Sequence, residues 1–172
     1  VVATLLCGTG APHPAPAAAG DGEPPVQREP APRSTADLDG HYLMLGPVGG
    51  AVRIEEAWDS AFGVSLTWLA VAEQRPVAAW GIGAGGARYA ERDGGRVWLE
   101  GVAGTRRLGG WLVGASAGAV VELSELQHPR AGITGAVWAF LGVTPFVRAG
   151  FVDEAGGFVE IGASLPLPAW RF

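Results

Sequence analysis

Between Ala61 and Ala72 the chain alternates strictly. Phe62, Val64, Leu66, Trp68, Ala70 and Ala72 share one parity, and Ala61, Gly63, Ser65 and Thr67 share the other. Successive side chains of a strand point to opposite faces, so a period of two separates an apolar side of a sheet from a small, polar one. The same signature recurs along the chain. Trp111–Glu122 sets Trp111, Val113, Ala115, Ala117, Ala119 and Val121 against Gly114, Ser116, Gly118 and Glu122. His41–Ile54 reads as Tyr42, Met44, Val48, Val52 and Ile54 against His41, Gly49, Ala51 and Arg53. Eight strands are expected: His41–Ile54, Ala61–Ala72, Val77–Tyr89, Arg96–Thr105, Trp111–Glu122, Gly132–Gly142, Phe146–Asp153 and Phe158–Phe172.

Composition narrows what these strands build. Mean hydropathy is +0.23 and only 17% of the residues are charged, below the roughly 25–35% of a comfortable soluble surface. After residue 40 no apolar run approaches the ~20 residues that a spanning helix needs. Positive hydropathy without such a helix leaves a closed barrel as the membrane-compatible structure, because only closure satisfies every backbone group in lipid. A net charge of −5 gives no basic footprint for nucleic acid. Cys7 is the only cysteine and the three histidines are scattered, so neither a disulfide framework nor a metal site is expected, and no cofactor.

The faces are assigned by what would make a poor exterior. Glycine, serine, threonine and isolated charges suit the interior of a narrow barrel, and the apolar parity then faces lipid. Arg53, Arg96, Glu100, Arg106, Arg148 and Glu160 carry the inward parity. They are expected to pair in the lumen as an interior polar network, since eight strands leave an interior filled by side chains. The Gly81–Gly86 stretch has no following helix and is read as strand glycine, not as a nucleotide loop. Aromatics gather beside alternate turns: Tyr42, Trp68, Trp80, Trp111, Trp138, Phe146, Trp170 and Phe172. They are expected to form a belt at one water–lipid boundary, with Phe62, Tyr89, Phe151 and Phe158 as a thinner second belt. Short turns (Glu73–Pro76, Arg106–Gly110, Gly142–Pro145) alternate with more polar loops (Glu55–Ser60, Ala90–Gly95, Leu123–Ala131, Glu154–Gly157). With an even strand count both termini fall on the short-turn side. Pro166 and Pro168 interrupt the last strand, where a bulge can reset the face.

Residues 1–20 read as the remnant of a secretory signal peptide, with Cys7 inside its apolar run, and residues 21–38 as a Pro-rich disordered spacer. Residues 39–172 are the barrel. This region resembles the small eight-stranded outer-membrane β-barrel proteins of Gram-negative bacteria in strand number, turn alternation, aromatic belts and the Trp170/Phe172 ending. The resemblance implies an all-β, antiparallel up-and-down transmembrane barrel with periplasmic termini. It also implies assembly by the barrel-assembly machinery and outer-membrane lipid as the immediate partner.

The role expected is structural or surface recognition by a monomer, without an open pore and without catalysis. Two rivals have distinct signatures. A soluble lipocalin- or avidin-like barrel would turn its apolar faces inward around a hydrophobic ligand. A lipid-modifying hydrolase would use Ser124 and His128, with Glu125 nearby, but closeness in sequence does not supply the hydrogen-bonded geometry of a triad.

Overall fold

The computed structural model describes residues 38–54, 56–108, 111–123 and 128–172, with backbone only at 107–108. The signal-peptide reading of residues 1–20, nearly all of the 21–38 spacer, Cys7, Ser124 and Glu125 lie outside the described residues.

Nine strands are formed: β1 (Gly40–Ile54), β2 (Ala57–Val71), β3 (Ala79–Tyr89), β4 (Gly95–Leu108), β5 (Trp111–Glu122), β6 (Arg130–Phe140), β7 (Thr144–Val152), β8 (Gly156–Ser164) and β9 (Leu167–Arg171). From β1 to β8 each pairs antiparallel with the next. β1 also accepts β8 along Val48–Ile54 and β9 along Tyr42–Leu45, which closes the sheet. β8 and β9 are therefore two halves of one barrel strand. The break falls at Leu165–Pro166, where proline cannot donate to the ladder. Leu165 N–H still reaches the Pro47 carbonyl at 3.0 Å. The expected bulge is present: the pairing slips between Leu43 and Met44 opposite β9. The described chain is thus an all-β, eight-stranded antiparallel up-and-down barrel. Among the described residues no helix is long and apolar enough to cross a membrane.

Side chains divide as alternation requires. Phe62, Val64, Leu66, Ile82, Val97, Leu99, Ile133, Val137, Val147, Phe151, Val159 and Ile161 are all exposed on the outside. Arg96, Glu100, Ser116, Glu122, Thr134, Arg148 and Glu160 are buried inside. For β2, β5 and β8 the faces are those expected from the sequence, and the ambiguous sixth strand resolves with Ile133 and Val137 outward.

β1 is the exception, and its expected faces are reversed. Val48, Val52 and Ile54 are buried in the lumen, while Ala51 and Arg53 are exposed on the outside. This strand carries apolar residues on both parities, Leu43 and Leu45 against Met44 and Val48. Its own pattern is therefore undecided, and its pairing settles the matter: Val48 lies opposite Gly63, an inward position of β2. Arg53 accordingly stands outside the interior network. It sits opposite Trp58, an exposed aromatic near the same barrel end.

Three members of the expected aromatic belt also turn inward. Tyr42, Trp138 and Phe146 line the lumen, as do Tyr89 and Phe158 of the second belt. For Trp138, Phe146 and Phe158 the reason is steric and is given below. Trp68, Trp80, Trp111, Trp170 and Phe172 remain on the outside, at the barrel end that holds both Gly40 and Phe172. There His41 stacks on Trp68 at 5.4 Å, and Trp68 meets Trp80 edge-on at 5.4 Å. Trp58, Phe62 and Phe151 mark the opposite end.

The expected contrast of short and long connections is absent. The end distant from the termini has connections at 55–56, 90–94, 123–129 and 153–155, and the other end at 72–78, 109–110 and 141–143. Each end mixes tight and longer turns. The strands run further into the connections than the polar composition suggested; β2, for example, begins at Ala57, inside the expected Glu55–Ser60 loop.

Candidate functional site

The lumen is crossed at mid-height by two arginines and two glutamates contributed by β4, β7 and β8. Arg148 Nε lies 3.1 Å from Glu100 Oε1, and its Nη2 donates to Glu100 Oε2 at 3.2 Å. Its Nη1 donates to Glu160 Oε2 at 3.3 Å, and Arg96 Nη2 stands 3.5 Å from the same oxygen. Ser116 Oγ donates to Glu100 at 2.8 Å. The guanidinium groups are also faced by rings: Arg148 lies 4.4 Å from the Trp98 centroid and 5.2 Å from Phe146, and Arg96 lies 4.7 Å from Phe158. Two opposite-sign pairs sharing one desolvated volume neutralise each other. An isolated ion there would cost several kcal/mol, on the order of 3–5.

Of the six residues expected in this network, Arg96, Glu100, Arg148 and Glu160 meet in it. Arg106 also has lumen parity but sits at the barrel mouth near the termini, where it pairs with Glu73. Arg53 is outside. Two further buried polar arrangements lie apart from the quartet. Tyr89 donates to Glu122 at 2.6 Å, inside the barrel toward the far end. Asp59 accepts the backbone N–H groups of Ser60, Glu91 and Arg92 and so holds the β3–β4 turn against β2.

Four of the large lumen rings have a glycine directly across from them on the neighbouring strand. Trp98 pairs with Gly85, Trp138 with Gly114, Phe146 with Gly162 and Phe158 with Gly150. A Cβ added at Gly85 would meet Trp98 at 2.3 Å, and one at Gly114 would meet Trp138 at 2.2 Å. The missing side chain lets the ring lie flat against the neighbouring strand, which is how wide aromatics fit a narrow barrel. This is also why Trp138 and Phe146 do not join the exterior belt.

Toward the far end the lumen is filled by Val52, Ile54, Val120, Val152 and Phe158. Toward the termini it widens into a cavity of about 370 Å³, floored by Glu100, Arg148 and Trp98 and reaching Tyr42 and Arg106 at its mouth. Tyr42 O–H donates to the Leu38 carbonyl there at 2.8 Å, with Arg171 5.6 Å from its ring.

The hydrolase residues are not brought into a site among the described residues. His128 is exposed on the β5–β6 connection, and Ser124 and Glu125 lie outside the description. No group of three or more His, Cys, Asp or Glu able to hold a metal ion occurs among the described residues.

No family model and no curated protein matches this sequence. Among solved structures the chain is similar to Ail, the attachment invasion locus protein of Yersinia pestis. Identity is 16%, the match covers 76% of this chain and 100% of that one, and the TM-score is 0.36. At that overlap the architecture rests on the strand pairing described above.

Proposed function

We propose that this chain is a bacterial outer-membrane barrel with a structural or surface role, non-enzymatic and without an open pore. The observation that carries the reading is the division of its side chains. Phe62, Val64, Leu66, Ile82, Leu99, Ile133 and Val137 present large apolar groups outward, while the buried ions meet inside. A protein in water gains from the reverse arrangement, because burying apolar surface drives its folding. A protein in lipid has no such gain to make and must instead keep its charges from the hydrocarbon.

The soluble lipocalin-like reading requires these apolar faces to be enclosed. Their exposure favours the membrane reading. The ion quartet and the packed residues beyond it close the lumen across its middle and far end, as expected of a barrel this narrow. That packing supports a role without permeation.

Placing both termini in the periplasm follows from the even strand count together with the resemblance to outer-membrane barrels. The opposite end then faces outward with Glu56, Glu91, Asp93, Asp153 and Glu154 in or beside its turns. Connecting segments are where recognition residues usually sit, and this acidic end is where surface recognition would act. The immediate partners in this reading are outer-membrane lipid and, during assembly, the barrel-assembly machinery; the folded chain acts as a monomer.

Expression in a Gram-negative host tests the placement. The protein is expected in the outer-membrane fraction, released only by detergent. Its gel mobility should change on boiling, and it should show no conductance in a planar bilayer. Recovery in the aqueous phase without detergent would overturn the placement, and steady conductance would overturn the closed lumen.

A further inference from the structure

We infer that the terminal half of the lumen is a binding site for a single-chain fatty acid, taken up alkyl end first with its carboxylate left at the mouth. This goes beyond the membrane-barrel reading, which concerns the exterior and would stand without it.

Shape is the first argument. The cavity extends along β1 from Tyr42 to Val48. Six residues at ~3.3 Å each, in strands tilted by ~40°, give a depth of about 15 Å. With a volume of about 370 Å³, the space is long and narrow, within the usual range of small-molecule pockets (~300–1,000 Å³). It suits a linear molecule better than a compact one.

The walls give the second argument. Met44, Leu69, Val71, Val102, Leu112 and Phe140 line it, and apolar cavities of even ~150 Å³ take up hydrocarbon. The floor makes no demand for a charged ligand, since Glu100 and Arg148 already face each other at 3.1 Å. The deep part therefore selects an uncharged alkyl segment.

Polarity then changes toward the mouth. Arg106 stands there with its side chain 41% exposed, held by Glu73, so a carboxylate arriving from solvent can reach the guanidinium.

The test uses the full chain in lipid nanodiscs and radiolabelled lauric acid as the probe, with empty discs as the reference. Saturable uptake of one laurate per chain is expected. Two substitutions fill the cavity. The nearest atoms to a Cβ at Gly83 belong to Thr67 and Val102, at ordinary contact distances of 3.4 and 3.5 Å, so Gly83→Leu and the longer Gly83→Met both project into the cavity. Either should weaken binding about tenfold or more. Arg106→Gln should weaken laurate more than the matching uncharged alcohol.

A second measurement needs no variant. Laurate carrying a photoreactive group at its alkyl end should label lumen residues such as Met44 and Trp98. Uptake no greater than in empty discs would overturn the inference. So would equal binding by the filled variants, or label confined to outward residues such as Leu66 and Ile82. None of these results would disturb the membrane placement, which is read from fractionation and gel mobility.

Discussion

Replacing Arg148 by methionine is the sharpest perturbation of the interior. The guanidinium holds Glu100 through contacts at 3.1 and 3.2 Å and Glu160 at 3.3 Å. After the substitution Glu100 keeps only the Ser116 hydroxyl, and Glu160 keeps Arg96 at 3.5 Å. One carboxylate is left buried without a counter-ion, at a cost of about 3–5 kcal/mol. Loss of the cation from the faces of Trp98 and Phe146 adds about 0.5–2 kcal/mol. Methionine conserves much of the apolar stem, so packing contributes less than charge.

The same geometry predicts a rescue. Glu100→Gln removes the stranded charge and leaves Arg96 and Glu160 as a neutral pair. The double variant should be more stable than the sum of the single effects by about 1–3 kcal/mol. Reversible urea unfolding in lipid vesicles, followed by tryptophan emission, measures all four corners of the cycle. A cost below about 1 kcal/mol for Arg148→Met, or strict additivity with Glu100→Gln, would refute the view that these ions form one coupled unit.

Three further outcomes follow from the same coordinates. Gly114→Ala should destabilise the barrel by about 1–3 kcal/mol, because the new Cβ meets both the Trp138 ring and the Ala103 carbonyl oxygen at 2.2–2.3 Å; wild-type stability in the same urea assay would show that the ring is not held against that glycine. Val64→Arg should cost about 2–4 kcal/mol if this position faces the hydrocarbon midplane, while Ser65→Ala on the lumen side should be mild; equal tolerance in the folded yield counts against the face assignment. Arg53→Ala should leave stability within about 0.5 kcal/mol, since the residue is exposed on the outside and absent from the ion quartet; a loss comparable to Arg148→Met would restore it to the interior.

Much of this barrel is legible in the residue pattern, and the failures share one cause. β5 reads correctly because glycine, serine and glutamate mark its inner parity at Gly114, Ser116, Gly118 and Glu122: Trp111 and Val113 lie outside, and Ser116 and Glu122 inside. β1 does not, because Leu45 and Val48 are both large and apolar yet face opposite ways. Only the register against β2 separates them, and register is a property of two strands.

The belt erred for a related reason. An aromatic near a turn is equally compatible with the lipid boundary and with a lumen that offers a glycine beside it. Trp138 and Phe146 are told apart from Trp80 and Trp111 only once Gly114 and Gly162 are known to lie opposite them. The charges were easier, because Arg96, Glu100, Arg148 and Glu160 have no favourable alternative to meeting one another inside a membrane barrel. Turn lengths were the least legible, since polar composition does not stop a strand from running on beyond the hydrocarbon.

The direction of the oily side chains is tested most directly by spin labels placed one at a time along residues 62–67 of β2, with Cys7 replaced, in lipid bilayers. Labels at 62, 64 and 66 should be relaxed strongly by dissolved oxygen, which concentrates in hydrocarbon, and those at 63, 65 and 67 weakly. The reverse alternation, or none, would contradict an exterior turned toward lipid.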